Sequence, residues 1–317
     1  MSAPRRAVLF FCADLRRDPV APRVFAAVAR LLEPRETGDA VDGFPVLSHR
    51  AAAGDELVLV RTAEVLSHDY PRYLPILNVR FRDFGLGLLV NWHEGANAPD
   101  RIFMAHTTGD VPSATFGAAD PALTTGMLRA MEAARVEAGL SEWRTVTEAT
   151  HWSGVLHGHP PALLAEYPVP LLDVEIGSSP ASWADAAAVN AFASALPRVF
   201  VEAEAPALSL LCVGGVHFEP AFRDAVLAEG RPHAVAVSHI LANQWLAEGW
   251  EGDAGVDRLA ACAASIAGGV DAIAFHDNLR GPVKAAARAL GERLGIPAFN
   301  HRRLRQPGPL VSAAGGA

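Results

Sequence analysis

Histidine and acidic side chains recur in this chain where hydrophobic runs end. Thr145-Val146-Thr147-Glu148 leads into Ala149-Thr150-His151, and Leu171-Leu172-Asp173-Val174-Glu175 leads into Ile176-Gly177-Ser178-Ser179. Leu208 to Val213 runs into Gly214-Gly215-Val216-His217, and Val235-Ala236-Val237-Ser238 closes on His239. An imidazole near a carboxylate can take a proton from water or share a metal ion with it. Glu148 and His151 offer that pair. Three apart in a strand they would point oppositely, but His151 falls in the turn, where both can face one crevice. The same two residues would also serve as a buried hydrogen-bonded pair supporting the loop. Glu175 stands in an otherwise apolar strand, where an acid is costly unless paired. It either anchors the Gly177-Ser178 amides or binds a ligand amine. Gly177-Ser178-Ser179 enters a helix, and its N–H groups suit an anion or an oxyanion. Gly214-Gly215 lets the backbone approach a ligand just before His217.

Two further histidines lie upstream. His93 follows a strand in Asn91-Trp92-His93-Glu94-Gly95, and His106 opens His106-Thr107-Thr108-Gly109-Asp110. Either alone reads as a structural residue, and Thr-Thr-Gly-Asp also reads as a turn with Gly109 at positive φ. Their weight comes from the company they keep. His157, His159 and His233 fall in loops and read as solvated, and Cys212 reads as a buried thiol. There is no Gly-x-Ser-x-Gly elbow and no His-Glu-x-x-His helix.

The elements that must position these residues alternate between strand and helix, which predicts an α/β fold. The expected form is a single mixed, mostly parallel sheet with helices on both faces. In a parallel sheet the carboxyl ends of the strands share one edge, where ligands bind. Strands are predicted over 7–12, 56–60, 86–91, 102–107 and 272–275, besides those above. Helices are predicted over 21–32, 123–138, 181–196, 219–228, 257–267 and 282–294. Gly154 to Pro170 reads as a loop insertion. Residues 1–305 are expected to form one domain, with 306–317 a disordered tail.

Composition narrows the function. Half of the 317 residues are hydrophobic and a fifth are charged, as in a globular protein with a sizeable core. No apolar run reaches the roughly 18 residues of a membrane span. The apolar start is cut short by Asp14-Leu15-Arg16-Arg17-Asp18 and reads as a first strand, not a signal peptide. Cys12, Cys212 and Cys262 have neither zinc-ribbon nor disulfide spacing, which points to a reducing cytoplasm. A net charge of −8 has the wrong sign for general polyanion binding. Lys284 is the sole lysine and sits in neither a Schiff-base nor a P-loop context.

Taken in order, the motifs resemble the archaeal and plant type of D-aminoacyl-tRNA deacylase. The resemblance rests on Glu148-Ala-Thr-His151, Val174-Glu175-Ile-Gly-Ser-Ser179 with Trp183, Gly214-Gly-Val-His217-Phe-Glu-Pro220 and Ser238-His239-Ile-Leu241. His93, His106-Thr-Thr-Gly109 and Phe116-Gly117 fit the same order, and the similarity spans about 85 to 295. It implies a fold like peptidyl-tRNA hydrolases and nucleoside phosphorylases, and hydrolysis of the ester between a D-amino acid and tRNA. By resemblance His106, Glu148, His151, Glu175 and His217 are catalytic. His93, Thr108, Gly109, Gly177, Ser178, Gly214, Gly215 and His239 would bind substrate. Zinc is implied, with His93, His151 and His217 as ligands. Aminoacyl-tRNA is the implied partner, held by a local basic patch at Arg280, Lys284 and Arg288, with Arg302, Arg303 and Arg305 nearby; a solvated helix face and tail is the other reading. A monomer or homodimer is expected.

The chain also departs from the family. Asn91-Trp92-His93 stands where Ser-Arg-His is usual, and His151-Trp152 where two histidines are usual. Asp110 replaces an asparagine, and the 154–170 loop is longer. Two other functions therefore stand beside deacylation. One is transfer of the aminoacyl group from tRNA to a small amine or hydroxylamine, with Trp92 and Trp152 excluding water. The other is a non-catalytic module that binds a nucleoside.

Overall fold

The computed structural model describes residues 4–95, 98–203, 206, 208–227, 235–306 and 310. Fourteen strands are formed among them. In chain order they are β1 Arg6–Cys12, β2 Arg35–Val41, β3 Phe44–Arg50, β4 Glu56–Thr62, β5 Leu86–Trp92, β6 Ile102–Thr107 and β7 Gly109–Asp110. There follow β8 Thr115–Phe116, β9 Arg144–Thr147, β10 Leu171–Ile176, β11 Leu208–Val213, β12 Val235–Leu241, β13 Ala272–Phe275 and β14 Ala298–Asn300. The α/β class is as expected, but the strands do not form one sheet. They divide into an eight-stranded sheet, β2-β3-β4-β1-β5-β10-β6-β9, and a four-stranded sheet, β12-β11-β13-β14, with β7-β8 a small ribbon.

The large sheet is mixed. β4, β1, β5 and β10 run parallel, whereas β6 runs against β10 and carries β9 with it. The small sheet is parallel throughout. Central strands such as β1, Arg-Ala-Val-Leu-Phe-Phe-Cys, are apolar on both faces because both faces are covered. Helices Ala21–Leu32, Pro121–Glu137 and Ala186–Ala195 supply core residues on one face. Helix Tyr70–Arg80 covers the other face together with the segment around Leu164 and Tyr167. Helices Gly252–Ala264 and Gly281–Leu294 cover the small sheet.

Several local differences have physical causes. Helix 181–196 is broken into Pro180–Trp183 and Ala186–Ala195 because Asp185 caps the second piece, accepting from the amides of Ala187 and Ala188. The 154–170 insertion holds two short 3₁₀ turns, Ser153–His157 and Pro161–Glu166. Of the tail expected to be disordered, only Gln306 and Leu310 lie among the described residues, and Leu310 is buried. His233 lies outside them.

The connection that matters for chemistry is 148–151. β9 ends at Thr147, and the next residues cross to the small sheet: the Ala149 amide donates to the His217 carbonyl at 2.9 Å, and the Thr150 amide to Ile240 at 2.8 Å. That stitch brings a residue of the large sheet against the loop that follows β11.

Candidate active site

Between the two sheets lies a cavity of about 990 Å³. His93, Glu148, His151, Glu175 and His217 all face it. They do not arrive along one parallel edge, as a single sheet would deliver them. β6 and β9 run opposite to β5 and β10, so Glu148 meets His93 and Glu175 from the other direction. His217 comes across from the small sheet. The walls are aromatic, from Trp92, Trp152, Phe218 and Trp245, with the stacked rings of His68 and His157.

Glu148 is the centre. Its side chain is fully buried. Oε1 lies 2.5 Å from His217 Nε2 and 3.4 Å from His93 Nε2, while Oε2 lies 3.9 Å from His106 Nε2. The other ring nitrogens settle who carries the protons. His106 Nδ1 is 3.1 Å from the Thr107 carbonyl, and His151 Nδ1 is 2.9 Å from that of Ala149. A carbonyl only accepts, so both Nδ1 atoms carry hydrogen. Ser178 donates its hydroxyl to the Pro99 carbonyl, so it accepts from His93 Nδ1 at 2.9 Å. Nε2 of His93, His106 and His151 is thus the atom left to accept or to coordinate. His217 is arranged the other way: Gln244 donates to its Nδ1 at 3.3 Å, and its Nε2–H points at Glu148.

Charge follows from this packing. Burial pushes the Glu148 carboxyl up, but His151 and the hydrogen bond from His217 outweigh it, and Glu148 is held well below the usual range. Glu175 goes the other way. Burial first, then the Glu148 charge, raises it well above the usual range. Asp173, on the same face of β10 and opposite His106, is raised to about 8 by burial and by Glu175. Its Oδ1 accepts from Asn91 at 2.5 Å. Burial, and secondarily His106, lowers His151 to about 3. Two carboxyl groups whose environments drive them apart are the mark of an acid and base pair.

The residues also fit a metal. Buried Glu148 Oε2 and His106 Nε2 have no hydrogen-bond partner, although both are polar. His106 Nε2 lies 3.9 Å from Glu148 Oε2, so the two unpartnered atoms face each other. Donor atoms of His93, Glu148 and His217 lie within 4.8 Å of one another, as do those of His106, Glu148 and His151. Neutral imidazoles tied by Nδ1–H to backbone carbonyls or a hydroxyl, plus a carboxylate, are a zinc donor set. Of the expected ligands, His93 and His217 fall in the first of these groups and His151 in the second, and Glu148 joins both.

Other expected site residues lie outside the cavity. His106 is buried behind His151, the rings stacked at 3.9 Å. His239 is fully buried between the sheets. Its Nδ1 meets Thr107 Oγ1 at 2.8 Å and its Nε2 meets Ser265 at 3.0 Å, so it is a cross-link and not a substrate contact. Gly109 lines the cavity, whereas Thr108 is buried beside it. The amides expected to hold an anion are spent, Gly177 on the Ile102 carbonyl and Ser178 and Ser179 on Ser182 Oγ, and those of the double glycine are tied too, Gly214 to Leu241 and Gly215 to Asn278. Gly177 is required for its turn, at φ +58° with Ser182 Oγ 2.3 Å from where a Cβ would stand. Ser178 acts on the site indirectly, through His93.

The basic residues are engaged internally. Arg280 donates to the Leu246 and Ala247 carbonyls, Lys284 to that of Asp277, and Arg302 pairs with Asp277. Arg288 and Arg303 lie over the rings of Phe275 and Phe299. Sequence reasoning missed Asp173, Gln244, Trp245 and His68. Asp173 was legible as a second acid two residues before Glu175 on the same strand face; the other three carried no signal.

The match to a family model covers residues 81–299, well over half of the chain, and the model describes D-aminoacyl-tRNA deacylase. The chain belongs to the D-aminoacyl-tRNA deacylase family. A curated D-aminoacyl-tRNA deacylase from Pyrobaculum neutrophilum (strain DSM 2338 / JCM 9278 / NBRC 100436 / V24Sta) is 30% identical over 154 residues, 49% of this chain. The alignment spans about half, 52%, of that relative's length. Among solved structures, a conserved protein of unknown function shares the fold with a TM-score of 0.73 at 17% identity, covering 96% of this chain and 98% of its own. A futalosine hydrolase of Helicobacter pylori reaches a TM-score of only 0.39 at 9% identity, over 63% of this chain and 100% of its own. No helix among the described residues is long and apolar enough to cross a membrane.

Proposed function

We propose that this deacylase-family member hydrolyses the ester joining an amino acid to the 3′ end of tRNA. The observation that carries the reading is the meeting of Glu148, Glu175 and His217 on one cavity, with Glu148 Oε1 2.5 Å from His217 Nε2. Glu148 is an anion hydrogen-bonded to His217 Nε2–H, which leaves Nδ1 of that ring, loosely held by Gln244, as the basic atom on the cavity side. His217 takes a proton from the attacking water, and Glu148 balances the imidazolium that results. The water oxygen bonds to the ester carbonyl carbon, and the bond to the ribose oxygen breaks. Glu175, kept protonated by burial, gives its proton to that leaving oxygen. The proton on His217 then returns to Glu175 through solvent, closing the cycle.

Zinc is part of the proposal. His106, His151 and Glu148, whose donor atoms converge, would hold it, and it would polarise the ester carbonyl and acidify water. Neutral imidazoles are what coordination requires, and the low basicity of His151 supports a ligand role over a basic one. Active protein is expected to carry about one zinc per chain by elemental analysis; active protein free of metal would exclude this assignment.

Loss of labelled amino acid from D-Tyr-tRNA and from several L-aminoacyl-tRNAs tests the function directly. Release of free amino acid is expected, and His106→Ala and Glu175→Ala are expected to abolish it with the fold intact. Unchanged turnover in both variants would overturn the site. A second reading has one observation in its favour. The cavity is at the upper end of ligand-pocket sizes and has indole walls, which leaves room for an apolar amine beside the ester. Release only in the presence of an amine pool, and as a conjugate, would favour that transfer.

A further inference from the structure

We infer that the cavity recognises the aminoacyl ester and the nucleoside that bears it, and that the polynucleotide behind them is dispensable. A free aminoacyl-nucleoside ester is then a substrate in its own right. The inference rests on the ester hydrolysis proposed above.

Three observations point the same way. First, Glu94, Asp110 and Glu148 line the cavity as acidic residues beside the protonated Glu175, and no lysine or arginine lines it among the described residues. A phosphodiester drawn into that mouth meets like charge, whereas an α-ammonium group is attracted. Second, the mouth carries apolar side chains in the open. Leu156 is 84% and Val216 54% exposed, beside the indoles of Trp92 and Trp245. Such surfaces stack a base or cover an amino-acid side chain without reading charge. Third, the cations of 280–305 are occupied within the chain. The Arg280 guanidinium is 3.0 Å and 2.7 Å from the Leu246 and Ala247 carbonyls and 3.4 Å from Glu251. Lys284 is 2.7 Å from the Asp277 carbonyl and Arg302 is 2.5 Å from its carboxylate. With a net charge of −8, the chain offers little to pull a polyanion in. The cavity volume, by contrast, is ample for an aminoacyl-nucleoside.

The test compares an aminoacyl-adenosine ester with tRNA charged with the same amino acid, each over a salt series. A site that neutralises six to ten phosphates loses about 10³- to 10⁵-fold in affinity between about 50 and 200 mM salt. The expected result is that kcat/KM for the two substrates agrees within about tenfold, a difference of about 1.4 kcal/mol, and that the tRNA value changes less than about tenfold over that salt range. A gap or a salt loss larger than tenfold overturns the inference and leaves ester hydrolysis standing. Cleavage of neither substrate overturns the proposed function and this inference with it.

Discussion

Two clusters in this molecule are built from the same parts. At the edge of the cavity, His106 and His151 stack at 3.9 Å with their planes 24° apart, close to Glu148. At the carboxyl ends of β13 and β14, His276 and His301 stack at 4.0 Å and 22°, and Glu219 lies 3.5 Å from His276. The difference is where the carboxylate spends its oxygens. Glu219 accepts from the backbone amides of Val216 at 3.1 Å and Ala221 at 3.2 Å, so both oxygens hold a turn. His276 and the Gly215 amide share Asn278 Oδ1 at 2.6 Å and 3.1 Å. Of that second cluster only His301 Nδ1 stays buried without a partner. Glu148, by contrast, faces side chains only and keeps Oε2 unpartnered. Residue types do not separate a working site from a brace; backbone satisfaction does.

The sharpest way to break that contrast is to neutralise the two carboxylates in turn. Glu148→Gln keeps the shape and removes the charge that supports His217. Turnover of aminoacyl-tRNA is expected to fall by about 10³-fold, within the range of general acid–base contributions. A loss below tenfold would remove Glu148 from the centre of the chemistry.

Next in size is a stability effect within the cavity cluster. Asp173 has an ordinary value of 3.8 and a folded value of about 8. The folded state therefore holds a proton that the unfolded state releases, so stability is fully present below pH 4 and is lost as pH rises towards 8. Asp173→Asn removes that titration. The variant is expected to be about 2–3 kcal/mol more stable than the parent at pH 8, less than the 1.36 kcal/mol per unit of displacement would give, because the bond to Asn91 weakens. Denaturant titrations at pH 5 and pH 8 read the difference, and equal slopes in both proteins would mean that Asp173 is ionised throughout. Glu219 is held differently: backbone amides bind it, whereas Asp173 is crowded by another acid.

How much of this could be read beforehand depended on the kind of signal. Buried strands announced themselves as apolar runs, and Ala21–Leu32, Ile102–Thr107 and Ala272–Phe275 fall where the pattern placed them. β2 did not, because Arg35 to Ala40 is exposed and polar, with no alternation to find. Helix Tyr70–Arg80 was hidden by Pro71 and Pro75, one harmless in the first turn and one inside. The division into two sheets was invisible, since nothing local in β6 says that it runs against β10. Glu148, His151 and His217 were legible as strand exits. Their roles were not, because the proton on each ring is set by folded contacts: the neighbouring carbonyls of Thr107 and Ala149 for His106 and His151, and the distant Ser178 and Gln244 for His93 and His217. The double glycine before His217 suggested an open backbone, yet its amides are tied to Leu241 and Asn278.

The brace offers the smallest and most discriminating effect. In Glu219→Gln one of two amide-accepting oxygens becomes an N–H₂ group, so one of the Val216 and Ala221 amides loses its acceptor. The loss of a charge-assisted bond is expected to cost about 1.5–3 kcal/mol of stability, seen as a lower Tm. The turn from Gly214 to His217 is held from its other side by Asn278 and by the Ala149 amide on the His217 carbonyl. His217 should therefore keep its place, and turnover below the transition is expected to fall by no more than about tenfold, a difference of about 1.4 kcal/mol. If Glu219→Gln abolished turnover as Glu148→Gln does while leaving Tm unchanged, the second cluster would be part of the chemistry. If it lowers Tm and spares the rate, two stacked histidine pairs, each beside a glutamate, do different work, and the backbone amides decide which.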